Sequence, residues 1–218
     1  VTNFQELFQQ NCSACHGKDG NFGPAPPLND PLFQAIVSDE QLNEVITNGR
    51  PNTPMPAFGQ SKDGPFTEEQ VKIVVKGIRE LWAKPVDEKP ENLPAYQVSA
   101  DDPGGLTKGD AERGKTLFAT VCADCHGEGG QGGEAGALNS HAFGELASTQ
   151  FIRRIIITGR PDLKMPNFME MGRKSSLDRP LTSQEIVDLT AYIRSIDPLA
   201  ISIPAPAHTA YTPSPEHE

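Results

Sequence analysis

Four cysteines constrain this chain more than any other feature of its sequence. They form two C-x-x-C pairs, and each pair is followed directly by a histidine: Cys12, Cys15 and His16, then Cys122, Cys125 and His126. The second C-x-x-C-H motif lies 110 residues after the first, in a chain of 218 residues. Identical motifs separated by about half the chain favour two copies of one small domain over a single large domain.

The spacing within each motif is the attachment signature of a c-type haem. Two thiols one helical turn apart can form thioethers to one edge of a porphyrin, and the next residue can supply its imidazole to the iron. Structural zinc would favour closer pairs and leaves the histidines unexplained, and a thioredoxin-like site needs a βαβ context that is absent. Two plain disulfides remain an alternative. We predict two covalently bound haems, with His16 and His126 as proximal ligands.

The 110-residue repeat also identifies a second ligand for each iron. It maps Met55 onto Met165, in the matching loops Met-Pro-Ala-Phe at 55–58 and Met-Pro-Asn-Phe at 165–168. The chain has only four methionines, and a proline-flanked loop is an unusual place for a methionine that fills a gap in a core. A thioether in the sixth position stabilises the reduced iron. We therefore predict His/Met axial ligation, with loop packing of the methionines as the alternative.

An arginine precedes each of these loops at the same place in the repeat. Arg50 follows Asn-Gly, and Arg160 follows Thr-Gly. A guanidinium group can bind a carboxylate through two parallel hydrogen bonds. We predict that each arginine holds a haem propionate; the alternative is a solvated loop charge.

Helix signals repeat with the motifs. Capping boxes begin at Thr67 and at Thr182, and each precedes apolar residues at helical spacing. A middle helix is predicted in each copy, ended by Gly49 in the first and by Gly159 in the second. The second copy has five extra residues between its methionine loop and its last helix.

Two segments of the second copy resemble the class I cytochrome c family. Residues 109–118, Gly-Asp-Ala-Glu-Arg-Gly-Lys-Thr-Leu-Phe, are similar to that family's opening helix, and residues 188–193, Asp-Leu-Thr-Ala-Tyr-Ile, to its closing helix. The resemblance covers nearly all of both copies. It implies an all-α fold of two tandem class I cytochrome c domains, each a small helical fold wrapped around one covalent c-type haem.

The crossing of those two helices distinguishes the copies. The family places a small residue on the first helix against an aromatic residue on the last, as Gly114 and Tyr192 do in the second copy. The first copy has Phe4 and Gly77 at these places. The large and small partners have exchanged helices, which keeps the total volume about constant.

The loop beside the haem histidine also differs between the copies. The family offers a proline carbonyl to the imidazole N–H, and Pro26 occupies that position in the first copy. Gly136 replaces the proline in the second copy, so the rigid φ is lost. We expect a softer proximal loop around the second haem.

These features divide the chain into domain 1 at 1–84, a Pro/Gly-rich linker at 85–108, domain 2 at 109–198 and a Pro-rich tail at 199–218. The composition predicts an extended linker that leaves the relative orientation of the domains open. The net charge is −10 without a basic stripe, which argues against nucleic acid. The sequence has no run of ~18 apolar residues, so no transmembrane segment is predicted.

The predicted function is transfer of single electrons between a redox donor and a redox acceptor. The protein would be a carrier or the cytochrome subunit of a respiratory or photosynthetic complex, in the periplasm or elsewhere outside the cytoplasm and membrane-associated through its partners. The alternative is a dihaem redox enzyme, a peroxidase or a sulfur-compound dehydrogenase, which needs an open or cysteine-ligated iron. The attachment motifs already use every cysteine, and His/Met ligation leaves no open position.

The insertion after the Met165 loop suggests a docking site for a redox partner. It lies in the stretch that holds Arg173, Lys174 and Arg179, whereas the matching stretch of the first copy has only Lys62. Complementary charge would raise the rate of encounter. The alternative is a solvated surface loop, since Glu170 and Asp178 lie in the same stretch and partly cancel its charge.

Overall fold

A computed structural model describes residues 3–51 and 53–196, so the predicted tail at 199–218 lies outside the described residues. Within these ranges the regular structure is helical, with isolated β-bridges at Gly59 with Phe66 and at Arg160 with Met165. The predicted all-α class is confirmed. Among the described residues, no helix is both long enough and apolar enough to cross a membrane.

Within its described residues, the first copy of the repeat forms five α-helices. They are α1 Phe4–Asn11, α2 Ser13–His16, α3 Pro31–Ile36, α4 Asp39–Asn48 and α5 Glu68–Trp82. A short 3₁₀ turn, Gln60–Lys62, lies between α4 and α5.

The second copy repeats this order and adds one helix. Its helices are α6 Ala111–Val121, α7 Ala123–His126, α8 His141–Leu146, α9 Thr149–Thr158, α10 Phe168–Arg173 and α11 Ser183–Ser195. The additional helix α10 occupies the stretch where the sequence has its five-residue insertion, and 3₁₀ turns lie at Pro161–Leu163, Pro90–Asn92 and Leu106–Lys108.

The predicted helix ends are confirmed. The side chains of Thr67 and Thr182 accept the backbone N–H three residues on, and the residue at that position caps the threonine N–H in return. Gly49 and Gly159 end α4 and α9 with φ values of 68° and 67°. Only glycine adopts this left-handed conformation without strain, so both helices stop where the methionine loops begin.

The exchanged helix crossing is also confirmed. A Cβ atom on Gly77 of α5 would lie 2.1 Å from Cγ of Phe4 in α1. A Cβ atom on Gly114 of α6 would lie 2.8 Å from Cβ of Tyr192 in α11. In each copy the absence of one side chain lets an aromatic ring from the other helix reach the crossing.

The two copies pack against each other, and the segment at 85–108 takes part in the contact. Leu32 of α3 is 5% exposed and belongs to the core cluster of the second copy. Tyr96 is 3% exposed and belongs to the core cluster of the first copy, while its carbonyl accepts Gln150 Nε2 of α9 at 2.7 Å. The structure thus gives the copies a defined orientation, unlike the expectation from linker composition, because a buried aromatic residue anchors the segment.

Candidate haem sites

Each C-x-x-C-H motif lies at a sharp break between two helices. Cys12 ends α1 and precedes α2, and its carbonyl accepts the N–H of Cys15 at 3.2 Å and of His16 at 2.9 Å. The second motif repeats these bonds at 3.3 Å and 3.0 Å from the carbonyl of Cys122. The two cysteines and the histidine therefore share one helical turn, as the attachment of a c-type haem requires.

The thiols are unpaired. All four cysteines are free, so the disulfide alternative is not what the structure shows. Burial raises the pKa of the Cys12 thiol to about 11 and of the Cys122 thiol to about 12, and the neighbouring cysteine of each pair adds to the rise. In the described part of the chain, no three His, Cys, Asp or Glu side chains are grouped to hold a metal ion, which gives structural zinc no ligand set there.

The two histidines differ in the hydrogen bonding of Nδ1. His126 Nδ1 lies 3.1 Å from the carbonyl oxygen of Gly136, where it can donate a hydrogen bond and leave Nε2 for iron. His16 Nδ1 is buried without a hydrogen bond of normal geometry. Burial, with a contribution from Arg154, lowers the pKa of His16 to about 4, and the carbonyl of Pro26 opposes this. The lowered pKa of His16 and the Nδ1 contact of His126 fit imidazole ligands to a haem iron.

The methionine loops are held by equivalent hydrogen bonds. The carbonyl of Met55 accepts the N–H of Arg50 at 3.0 Å, and the carbonyl of Met165 accepts the N–H of Arg160 at 3.0 Å. Met55 is partly buried against the first core cluster together with Cys12, and Met165 is partly buried against the second. Each cluster thus includes one predicted attachment cysteine and the predicted methionine ligand of its own copy.

The guanidinium groups of the two loop arginines already have protein partners. Arg50 Nη2 donates to the hydroxyl of Tyr96. Arg160 donates from Nε and Nη2 to Asp162, at 2.9 Å and 2.7 Å. Their predicted contact with haem propionates stays a prediction, and for Arg160 it would have to use Nη1.

Comparison with protein families decides the identity of the fold. The family model described as cytochrome c matches residues 111–197. The model described as cytochrome C oxidase, cbb3-type, subunit III matches residues 1–76. The chain is a tandem cytochrome c protein. Domains of this kind bind haem c covalently, in agreement with the two attachment motifs.

Relatives of this tandem cytochrome c share both copies. The chain is 26% identical over 208 residues to the Cbb3-type cytochrome c oxidase subunit CcoP of Azospirillum sp. (strain B510), covering 90% of this chain and 57% of that protein. It is 35% identical over 199 residues to the cytochrome bc1 complex cytochrome c subunit of Corynebacterium diphtheriae, covering 88% and 64%. The chain thus spans about three fifths of these relatives' own lengths.

A solved structure, the Kuenenia stuttgartiensis reducing HAO-like protein complex, covers 90% of this chain and 96% of its own at 18% identity and a TM-score of 0.49.

The tandem cytochrome c also contains buried polar residues that the sequence analysis missed. Arg153 and Arg154 of α9 are 1% and 7% exposed, although that helix was predicted only from its apolar residues. Alignment of the two copies could have revealed these arginines, because the equivalent positions of α4 carry Asn43 and Glu44. The exchange of a neutral and an acidic residue for two arginines distinguishes α9 from α4.

In the structure, the basic residues of the predicted docking site are paired with carboxylates. Each basic residue of the stretch lies within 4 Å of a carboxylate: Arg173 with Glu88 at 3.8 Å, Lys174 with Glu170 at 3.2 Å, and Arg179 with Glu185 at 2.7 Å. Because the charges are paired locally, the stretch is not the basic face that the composition suggested.

Proposed function

We propose that this protein carries single electrons between redox partners through two covalently bound haems c, as the cytochrome subunit of a larger respiratory complex. The duplicated site carries the proposal: each copy joins a C-x-x-C-H turn and a methionine loop to its own core. The names of the relatives, subunits of a cbb3-type oxidase and of a bc1 complex, support it.

In this proposal the four cysteines would form the thioethers to two haems. His16 and Met55 would be the protein ligands of the first iron, and His126 and Met165 those of the second. The haem supplies one-electron redox chemistry when bound. The carbonyl of Gly136 would orient the imidazole of His126 and make it a more basic ligand. Four axial ligands for two irons leave no position for a substrate, so the role is transfer and not catalysis.

The partners would be a protein donor and a protein acceptor. Assembly of c-type haem outside the cytoplasm fits a location in the periplasm or another extracytoplasmic space, at a membrane-bound respiratory complex. The buried contact between the copies gives the two haem sites a fixed relation, which suits an internal relay.

The ligand assignment is tested with the reduced and oxidised holoprotein. Two covalent haems per chain are expected by the pyridine haemochrome assay. Met55→Ala and Met165→Ala should each abolish one methionine-to-ferric-iron charge-transfer band and lower one midpoint potential, because a thioether favours ferrous iron. Met169→Ala, which changes a methionine outside the repeat positions, is the control and should leave both bands in place.

An unchanged spectrum and potential in either variant would contradict the assignment for that haem. Carbon monoxide binding by the native reduced protein would show an open iron, as a dihaem redox enzyme requires.

A further inference from the structure

The unsatisfied buried polar atoms of this protein concentrate at the contact between the two copies. In the described part of the chain, the buried side-chain nitrogen and oxygen atoms without a hydrogen-bond partner belong to His16, Gln150, Arg153 and Arg154. The last three lie on α9 of the second copy, whereas His16 is the proposed haem ligand of the first. Leaving a buried donor unpaired is costly, so this concentration points to a missing partner.

Arg154 reaches across the contact into the first copy. Its Nη2 donates to the carbonyl oxygen of Pro27 at 2.5 Å. Its guanidinium carbon lies 3.6 Å from the centre of the Phe33 ring, while Nε has no partner. These contacts fix the side chain beside the loop that follows the first C-x-x-C-H motif.

Pro27 directly follows Pro26, the residue predicted to offer its carbonyl to the imidazole of His16. The hydrogen bond to Pro27 therefore places Arg154 at the proximal loop of the first motif.

Among the described residues, no carboxylate forms an ion-pair contact with Arg154. Asp30, a buried carboxylate, attracts Arg154 electrostatically but makes no ion-pair contact with it, and its Oδ1 accepts the N–H of Phe33 at 2.7 Å. Asp162 is paired with Arg160. Burial lowers the pKa of Arg154 to about 10, so the group remains a cation at neutral pH. A buried cation with an unpaired N–H calls for an anion.

We propose that Arg154 binds a propionate carboxylate of the haem held by Cys12, Cys15 and His16, so that the second copy completes the haem site of the first. The inference rests on the proposed function, since it requires a haem at that motif. The relation is one-way, because the position equivalent to Arg154 in α4 is the exposed Glu44, which cannot hold a carboxylate. The orientation of the two copies and the electronics of the first haem are then coupled.

A fixed cation beside a haem disfavours the ferric state, which carries one more positive charge. Replacing Arg154 by a neutral residue should therefore lower the midpoint potential of the first haem. A change of about tenfold in the reduction equilibrium corresponds to about 59 mV for one electron.

The test uses the dihaem holoprotein with Arg154→Gln, Arg154→Lys and, as a matched control, Arg173→Gln. Arg173 is 56% exposed and lies 3.8 Å from Glu88. Spectroelectrochemical titration gives both midpoint potentials, and resonance Raman spectroscopy gives the propionate bending bands. We expect Arg154→Gln to lower one midpoint potential and to shift one propionate band. Arg154→Lys should restore most of the potential but leave the band shifted. Arg173→Gln should change neither the potentials nor the bands.

The midpoint potential that Arg154→Gln lowers should be the same one that Met55→Ala lowers. The inference would be overturned if Arg154→Gln shifted the other midpoint potential instead. It would also be overturned if an Arg154→Gln protein with two haems kept both potentials and its propionate bands unchanged. If Arg154→Gln does not retain both haems, the propionate band of Arg154→Lys decides in its place. A native chain without a covalent haem at Cys12 and Cys15 would instead overturn the proposed function.

Discussion

Gly136 takes the place of Pro26 in the second copy and still provides a backbone carbonyl at this position of the proximal loop. The proximal loop is held in both copies by the main chain, since the residue before each of them donates its N–H to the carbonyl of Cys15 or Cys125, at 2.9 Å and 3.0 Å. The carbonyl of Gly136 therefore still meets its histidine. What the glycine loses is the restriction that proline places on the unfolded chain.

Gly136→Pro should stabilise the second copy. A Cβ atom at Gly136 would meet nothing within 4 Å, and its φ is not positive. Its N–H donates no backbone hydrogen bond within the described part of the chain, so proline removes none. We expect the free energy of unfolding to rise by about 0.4–1 kcal/mol, as proline does at compatible positions, measured by urea denaturation of the holoprotein.

Gly133→Pro is the matched control in the same loop. The N–H of Gly133 donates to the carbonyl of Ala135 at 3.0 Å, and a Cβ atom there would lie 2.7 Å from the carbonyl oxygen of Cys125. This substitution should destabilise the protein. Equal effects of the two prolines would show that neither the open space at Gly136 nor the hydrogen bond of Gly133 decides the stability of the proximal loop.

At the scale of the helix, the start of α11 combines a capping box with an ion pair. Glu185 Oε2 accepts the N–H of Thr182 at 2.7 Å, and Arg179 donates to both carboxylate oxygens at 2.8 Å and 2.7 Å. The hydrogen bonds from Arg179 are the largest cause that lowers the pKa of Glu185 to about 2. The basic residue proposed as a docking contact thus stabilises the helix that packs on α6.

Glu185→Gln should reduce the sensitivity of the protein to acid. Because the pKa of Glu185 is lower in the folded state than its ordinary value of 4.5, its contribution to stability is present above pH 4.5. That contribution is lost as the pH falls from 4.5 towards about 2. Glutamine keeps the cap, as Gln70 does at the start of α5, but does not titrate.

Urea denaturation at pH 6 and at pH 3 measures this difference. The variant should be less stable than the native protein at pH 6 and should lose less stability on acidification. If both proteins lost the same free energy of unfolding between pH 6 and pH 3, the ion pair of Arg179 and Glu185 would contribute nothing in this range.

The sequence predicted the elements well because their signals are local. Capping boxes, terminal glycines and the C-x-x-C-H turns each involve residues within a few positions of one another. Tyr96 and Arg154 were not predicted, since their surroundings come from parts of the chain more than 45 residues away, namely Arg50 and Pro27. A tyrosine among prolines looks like a solvated linker until the surface that it covers is known.

At the scale of the whole molecule, the segment at 85–108 joins the two cores. Val86 and Leu93 pack against the cluster of the second copy, whereas Tyr96 belongs to the cluster of the first. Leu32 makes the reciprocal contact, because it lies in the first copy and packs in the second cluster. The neighbouring Phe33 stays in the first cluster. Adjacent residues of α3 therefore serve different cores.

This division predicts that the two copies can be separated without unfolding either. Leu32→Asp places a carboxylate in the apolar contact, where the leucine is 5% exposed, and removes a burial that stabilises by roughly 1.5–3 kcal/mol. The core of the first copy keeps its own residues, since Leu32 is not among them. A compact chain of 218 residues has a radius of gyration of about 17 Å, and small-angle scattering should give a larger value for the variant while the spectra of both haems persist.

Leu81→Asp is the control, because Leu81 is 54% exposed and lies outside both clusters. It should leave the radius of gyration unchanged. An unchanged radius in Leu32→Asp would mean that the tyrosine-anchored segment and the α9 hydrogen bonds hold the copies together on their own. Because separation withdraws Arg154 from the first copy, Leu32→Asp should also lower the same midpoint potential as Arg154→Gln, which links the packing of the whole molecule to the chemistry of one haem.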